Sequence, residues 1–230
     1  MPIHPIIIAV MEILAHRGYW KDPDEKNTMV AFERALGLGY GIETDVRDCN
    51  GALVIFHDPP VLGPQTIIWH QFLDLYQSIG QERGHYPTIA ANIKCDGLAP
   101  LVWQAIPETL RPYFFFFDMS VPDALAYLRQ GSIVYTRHSE LETVPAYYQQ
   151  AQGVWMDEFS QTWITEGDMQ KHIRSGKTIC LVSPELQKRP HREEWTAWRS
   201  WWRKWPDAEL NKVLLCTDFP QQAEAFFNDR

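Results

Sequence analysis

The sequence predicts a single-domain α/β fold, a (β/α)8 barrel, and three observations carry that prediction. Short apolar runs alternate with helical segments along the chain, the pattern of parallel strands joined by crossover helices. Nearly every apolar run ends in a polar or ionisable residue, as strands do where a barrel gathers its chemistry at their carboxyl ends. The 230 residues, 45% of them hydrophobic, suit one large domain with a substantial core, and no internal repeat or low-complexity linker marks a second.

The opening stretch, MPIHPIIIAV, has no basic segment ahead of its apolar run. Glu12 interrupts that run, no small-residue cleavage site precedes His16, and the run is too short to cross a bilayer. Residues 1–10 are therefore expected to be an extension ahead of a barrel domain at 11–230, with Met1 or Met11 as the start. Strand one covers 13–15 and exits at His16-Arg17-Gly18. After a polar loop, Asn27 or Thr28 can cap a helix at 29–38, whose Val30, Phe32, Ala35, Leu36 and Leu38 suit one buried face before Gly39 and Gly41 end it.

Strand two, at 42–46, has a period of two that puts Glu43 and Asp45 on the same side, which in a closed barrel is the interior. Unpaired carboxylates there are costly, and a cation is the natural way to hold two. The Asn50-Gly51 turn leads to a further strand at 53–56 that ends in His57-Asp58, and Pro59, Pro60, Gly63 and Pro64 then break regularity before a helix at 68–78. Strands three to eight are expected at 88–94, 113–118, 132–136, 153–157, 177–182 and 212–216. Helices at 98–110, 122–130, 165–174, 191–204 and 220–227 alternate with them.

Several residues near these strand ends are candidates for chemistry: His16, Glu43, Asp45, Asn92, Lys94, Asp118, Arg137, Asp157, Glu185 and Asp218. Asp118 and Asp218 read first as helix caps, and Glu185 stands between site residue and cap. Trp155 shares a strand face with Asp157 and is either a pocket wall or core. Tyr19 and Trp20 either pack under their loop or stack on a head group. His4, His70, His85, His138, His172 and His191 show no partner spacing and read as surface or structural. Trp195, Trp198, Trp202 and Trp205 share one helical face, which favours an outer helix packed on the barrel over a membrane-contacting one.

A net charge of −8 without a Lys or Arg stripe argues against nucleic acid as a partner. Four scattered cysteines without a CxxC pair read as reduced structural thiols, which fits a cytoplasmic location.

His16-Arg17-Gly18, Asn27-Thr28 before the first helix, Glu43-Thr44-Asp45 on strand two and His57-Asp58 soon after resemble, in order and spacing, the glycerophosphodiester phosphodiesterases. Asn92-Ile93-Lys94 and Thr217-Asp218-Phe219-Pro220 extend the resemblance over nearly the whole barrel. It implies a TIM barrel in which a Mg²⁺ or Ca²⁺ ion helps cleave a phosphodiester. Glu43 and Asp45 would be its ligands, His16 and His57 the general acid/base pair, and Arg17 and Lys94 the phosphate contacts. The chemistry is consistent: hard oxygen ligands and cationic side chains suit the negative charge of a phosphoryl transition state, and two imidazoles suit one proton taken and one given.

Three departures stand out. Lys26 replaces the glutamate of the family's usual Glu-Asn-Thr. Asn92 replaces an acid, which makes it a neutral third ligand unless Asp157 or Glu185 supplies the missing carboxylate. The stretch from His57 to Asn92 is shorter than the family's usual cap insertion, which loosens the expectation of glycerol selectivity. The expected function is metal-dependent hydrolysis of a small phosphodiester, a glycerophosphodiester first. A sugar-linked or lysolipid diester, or a barrel that binds phosphorylated ligands without turnover, are the alternatives.

Overall fold

The computed structural model describes residues 11–61, 63 and 66–228, so the expected extension at 1–10 lies outside the described residues. In chain order the strands are β1 (Glu12–His16), β2 (Gly41–Cys49), β3 (Ala52–Ile55), β4 (Ile67–Ile68), β5 (Ile89–Ile93), β6 (Phe114–Phe117), β7 (Tyr135–His138), β8 (Gly153–Met156), β9 (Thr178–Val182) and β10 (Val213–Thr217). The helices are α1 (Met29–Leu38), α2 (Trp69–Arg83), α3 (Ala99–Ala105), α4 (Val121–Arg129), α5 (Glu166–Arg174), α6 (Arg192–Trp202), α7 (Asp207–Leu210) and α8 (Pro220–Asn228).

Eight of the strands make the barrel. β1 pairs in parallel with β2 and with β10, β2 continues to β5 and β6, and β10 continues through β9 and β8 to β7. Between β6 and β7 the pairing thins to one parallel bridge, Phe116 with Val134, where the Phe116 N–H donates to the Ile133 carbonyl at 2.9 Å. Among the described residues the ring of strands meets across this seam only through that bridge. Strand β7 accordingly begins later than its expected 132–136.

The side chains explain how the interior fills. Phe115 stacks on Tyr135 with ring centres 3.8 Å apart, and Phe117 stacks on Trp155 at 3.9 Å, so this side of the barrel is packed with aromatics. Small residues, Ala90, Cys180 and Cys216, complete the same buried cluster, and large against small is how a barrel interior reaches close packing. At Gly153 a Cβ would lie 2.4 Å from the Tyr135 ring, so only glycine leaves that ring room. Trp155 is therefore core rather than pocket wall. All four cysteines are free, two buried in this interior and two, Cys49 and Cys95, only half-buried.

On the outside, α1 is capped by Thr28, whose hydroxyl accepts from the Ala31 N–H, and ends at Gly39 in the left-handed region. Its buried face is Ala31, Phe32, Ala35 and Leu36, while the expected Val30 and Leu38 are exposed, Val30 because it falls on the far side of the 3.6-residue turn and Leu38 as the last residue of the helix. α3 stops at Ala105, short of the expected 110, since Pro107 disfavours a helical Ile106. Trp195, Trp198 and Trp202 of α6 are buried, as is Trp205 just beyond it, and α6 packs against Phe226 and Phe227 of α8. This agrees with the outer-helix reading. Among the described residues no helix is long and apolar enough to cross a membrane.

β2 outruns the barrel. Its upper half, from Val46, pairs antiparallel with β3, and β3 pairs antiparallel with β4, forming a ribbon that stands on the rim and carries His57. This ribbon, with the two-residue β4, is the part of the fold that strand–helix alternation does not foretell.

Candidate active site

The register of four neighbouring strands assembles the site. His16 sits beside Glu43, Asp45 beside Asn92, and Ala15 beside Thr217, so residues from β1, β2, β5 and the end of β10 meet at the carboxyl edge. Asp45 is its buried centre. Arg17 Nε lies 3.1 Å from Asp45 Oδ2 and Lys94 Nζ 3.2 Å from Oδ1. The Asn27 amide donates to Oδ2 at 2.8 Å and is itself oriented by the Thr44 hydroxyl, which donates to Asn27 Oδ1 at 2.9 Å. Burial pushes the Asp45 carboxyl up, but Lys94, Arg17, the Asn27 amide and His57 together outweigh it and hold it below the usual carboxylate range.

Glu43 behaves in the opposite way. Burial first, and then the neighbouring Asp45 charge, push its carboxyl up against the pull of His16, Lys94 and Arg17. The Asn92 amide donates to Glu43 Oε1 at 3.2 Å, and Oε2 lies 3.8 Å from His16 Nε2, beyond hydrogen-bonding range. Among the described residues Glu43 Oε2 and Asn92 Oδ1 are thus buried acceptors with no donor. Asp45 Oδ1 meets only the Lys94 ammonium, without an aligned hydrogen bond. Buried oxygens are rarely left so, and an all-oxygen set of this kind suits a hard divalent cation. Its formal charge is low, since Asn92 adds none and Arg17 and Lys94 already offset Asp45.

The loop after β1 is bent to serve this centre. Arg17 and Asn27 both adopt left-handed backbones with φ near 58°, which costs a non-glycine residue about 1 kcal/mol or more. They are held there by the Arg17 N–H donating to the Glu43 carbonyl at 2.8 Å and the Asn27 N–H donating to the Arg17 carbonyl at 2.9 Å. Gly18, with φ of 85°, has no alternative, because a Cβ would lie 2.9 Å from Ala31. Lys26, in place of the expected acid, stands over the Trp20 ring at 4.4 Å and 3.5 Å from Asp218. Tyr19 packs edge-on against Tyr40, so the loop aromatics find partners within the protein.

His16 Nδ1 lies 2.6 Å from Asp218 Oδ1. Asp218 is in turn fastened from behind, because its N–H donates to Glu185 Oε1 at 3.1 Å and the Thr217 hydroxyl donates to the same oxygen. The Ser183 hydroxyl donates to the other Glu185 oxygen, and the Trp195 indole N–H donates to Ser183 Oγ at 2.8 Å. Asp218 is therefore no simple helix cap, and Glu185 is a buttress behind it. The signal for Asp218 was in the fold class itself, since in a closed barrel the last strand lies beside the first.

His57 occupies a different setting. Its side chain is 44% exposed, and its Nδ1 lies 2.9 Å from Asp58 Oδ1, a carboxylate 80% exposed. The Phe56 N–H donates to the Asp45 carbonyl at 3.1 Å and Arg47 Nε donates to the His57 carbonyl at 3.0 Å, which fixes the ribbon end above the acidic strand.

The remaining candidates stand apart from this centre. Asp157 is buried and accepts from the Gln187 amide at 3.1 Å, with burial pushing its carboxyl up. Asp118 does not cap α4, a task done by Ser120; it pairs with Arg137 across the β6–β7 seam. Among the described residues no three of His, Cys, Asp or Glu are grouped to hold a metal, and Glu185 is engaged by the Thr217 and Ser183 hydroxyls and the Asp218 N–H. A cleft of about 610 Å³ opens along the seam, lined by Asn92, Lys94, Asp118 and Arg137 together with the exposed Leu141 and Val144. His138 and His172 find each other, with Nδ1 of the first 2.9 Å from Nε2 of the second and Tyr148 completing the chain.

No family model and no curated protein matches the chain. Solved structures do. A protein described as a glycerophosphoryl diester phosphodiesterase from Silicibacter pomeroyi aligns with a TM-score of 0.68 at 13% identity, over 98% of this chain and 95% of that one. A glycerophosphodiester phosphodiesterase from Agrobacterium tumefaciens aligns at 0.59 and 17% identity, over 95% of this chain and 100% of that one. A Ca²⁺-dependent phosphatidylinositol-specific phospholipase C from Streptomyces antibioticus aligns at 0.57 and 10% identity, over 94% and 96%. At such identities the likeness establishes the fold, end to end, and it is the fold of the family that the sequence resembles.

Proposed function

We propose that the chain is a metal-dependent phosphodiesterase that hydrolyses a small phosphodiester, a glycerophosphodiester first, to an alcohol and a phosphomonoester. The observation that carries this reading is the buried acidic strand: Asp45 bracketed by Arg17 and Lys94, beside two donorless oxygens, Glu43 Oε2 and Asn92 Oδ1. Glu43, Asp45 and Asn92 would hold a Mg²⁺ or Ca²⁺ ion, whose charge would stabilise the negative charge that builds on a phosphoryl group in the transition state. Arg17 and Lys94 would orient the phosphate and add to that stabilisation.

His16 and His57 divide the proton transfers. As water oxygen bonds to phosphorus, one imidazole takes the water proton. As the P–O bond to the alcohol breaks, the other imidazole, protonated, gives its proton to the departing oxygen. The fold supports this chemistry, and two of the structures that share it, from Silicibacter pomeroyi and Agrobacterium tumefaciens, are described by that activity.

The test is release of alcohol from a panel of glycerophosphodiesters before and after EDTA, followed by readdition of Mg²⁺ or Ca²⁺. Activity lost to chelation and restored by one ion is the expected result. Turnover indifferent to EDTA would remove the ion from the reading, and ion binding without turnover on any diester would leave a phosphate-ligand barrel. A second reading, a sugar-linked or lysolipid diester, is favoured by the 610 Å³ cleft beside Lys94, which exceeds what a glycerol moiety fills. The same panel separates the two.

A further inference from the structure

We propose that Arg137 and Asp118 are specificity-determining residues that grip hydroxyl groups on the alcohol half of the substrate, so that the preferred diester is one whose alcohol is a neutral polyol such as a sugar. The turnover part of this statement rests on the phosphodiesterase reading; the binding part does not.

Strand register sets the pair beside the acidic centre. Asn92 pairs with Phe117, so Asp118, the next residue, stands one strand away from Asn92 and Lys94. Arg137 lies two residues beyond Tyr135 on β7 and shares its inward face, next to the stacked aromatics that fill this side of the barrel. Lys94, Asp118 and Arg137 line one cleft of about 610 Å³. An alcohol esterified to a phosphate held at Lys94 therefore has Arg137 and Asp118 within the same cavity.

Both side chains have hydrogen-bonding capacity left over. Arg137 donates to one oxygen of Asp118 through a terminal nitrogen, and among the described residues no other side chain hydrogen-bonds Asp118. The Arg137 Nε is a buried donor without an acceptor, since Glu142 Oε2 stands 3.7 Å away, beyond hydrogen-bonding range. Asp118 also holds a left-handed backbone, φ 67°, at a cost that capping does not explain, because Ser120 caps α4. The simpler role is a fastener across the thin β6–β7 seam. A partly exposed ion pair adds little as a fastener, and that role leaves the Nε donor without a use.

The leftover groups select among alcohols. A hydroxyl accepts from Arg137 Nε and donates to Asp118, so it satisfies both at once. A quaternary ammonium offers no acceptor to the guanidinium. An acyl chain offers neither partner and would strip water from a charged pair. An anionic group would meet the Asp118 and Glu142 carboxylates around a single guanidinium. A few polar groups set among apolar ones, here Leu141 and Val144, is the usual make-up of a small-molecule site.

The experiment measures kcat/KM on glycerophosphodiesters that differ only in the alcohol: a hexose, choline, ethanol and a monoacylglycerol. The natural chain should prefer the hexose ester over the ethyl ester ~10-fold or more. Arg137→Lys keeps a charge for Asp118 but removes the Nε donor; it should bring that ratio toward one, through KM more than kcat, with the melting temperature unmoved. Asp118→Asn, which tolerates the left-handed backbone, should lower the ratio in the same direction. Preference for the choline or monoacylglycerol ester, or a ratio that neither variant moves, overturns the proposal. Equal losses on all four esters in step with the melting temperature also overturn it, leaving a seam fastener. If no diester is cleaved, calorimetric titration with hexose 1-phosphate and ethyl phosphate decides. Tighter binding of the hexose ester that Arg137→Lys abolishes would sink the hydrolysis reading and keep the polyol site, whereas equal binding of the two overturns the site.

Discussion

Two histidine–carboxylate pairs flank the acidic strand, and they differ in what stands behind them. His16 and Asp218 are separated by 202 residues and joined by closure of the barrel; their side chains are 15% and 13% exposed, and Glu185, Ser183 and Trp195 back them. His57 and Asp58 are sequence neighbours on a ribbon at the rim, 44% and 80% exposed, with solvent behind the carboxylate. The local chemistry is the same pair of groups at similar distances. What differs is the dielectric and the number of rotors left free, and both decide how much a carboxylate can do for an imidazole. The buried pair is built to orient a ring, whereas the rim pair leaves its ring adjustable.

The strongest test of that contrast removes the rings. His16→Ala and His57→Ala are each expected to lower kcat ~10²- to 10⁴-fold in an alcohol-release assay while leaving far-UV circular dichroism unchanged. A drop in only one of them reduces the site to a single histidine and ends the comparison.

Next in size is the anchor between the pairs. Asp45→Ala leaves Arg17 and Lys94 without their shared carboxylate, and since both cations are partly solvated the expected loss is about 3 kcal/mol in urea unfolding. The same charge sets a pH dependence. Asp45 is held below the usual carboxylate range, so its contribution is present above that range and disappears as pH falls through the lowered value.

A third histidine site sharpens the point: among the described residues His138 and His172 hydrogen-bond each other and Tyr148 rather than a carboxylate, and Asp168 only partly opposes the shift. His172, buried against His138 and Tyr148, is pushed down to about 4 by burial first and then by His138 and nearby lysines. A depressed histidine contributes stability above its ordinary value near 6.5 that is lost as pH falls toward 4. The melting temperature of the natural chain should therefore decline over that interval more steeply than that of His172→Asn. Parallel declines would refute the assignment.

The smallest effect is expected at the rim. Asp58→Ala should change kcat by no more than about threefold, because an exposed pair contributes under ~1 kcal/mol and is screened by salt. If Asp58→Ala costs as much as Asp218→Asn, burial is not what separates the pairs.

Much of this was legible in the chain. The period of two in Gly41–Cys49 alone places Glu43 and Asp45 together and inward, and both are buried side by side. The capping Thr28, the glycine stop at Gly39 and the Asn50-Gly51 turn all act locally and appear where local chemistry puts them. Asn92 on a neighbouring strand and Lys94 just beyond it follow from strand order, and both reach the site. Asp218 reads first as a cap, and Glu185 stands between cap and site residue, because a cap is the nearest use of an acid after a strand, and nothing within ten residues announces a partner across the closure.

The sequence by itself determined the alternation of elements, the face each strand turns inward and the inventory of groups at the rim, because those depend on φ/ψ preference, side-chain period and turn chemistry within a few residues. Only the tertiary structure decided which groups touch: that Arg17 and Lys94 share one carboxylate, that Asp118 bridges the seam to Arg137, and that Asp218 meets His16. Those contacts are set by register and by closing the ring of strands, which bring together residues far apart in the chain at distances that no local preference encodes.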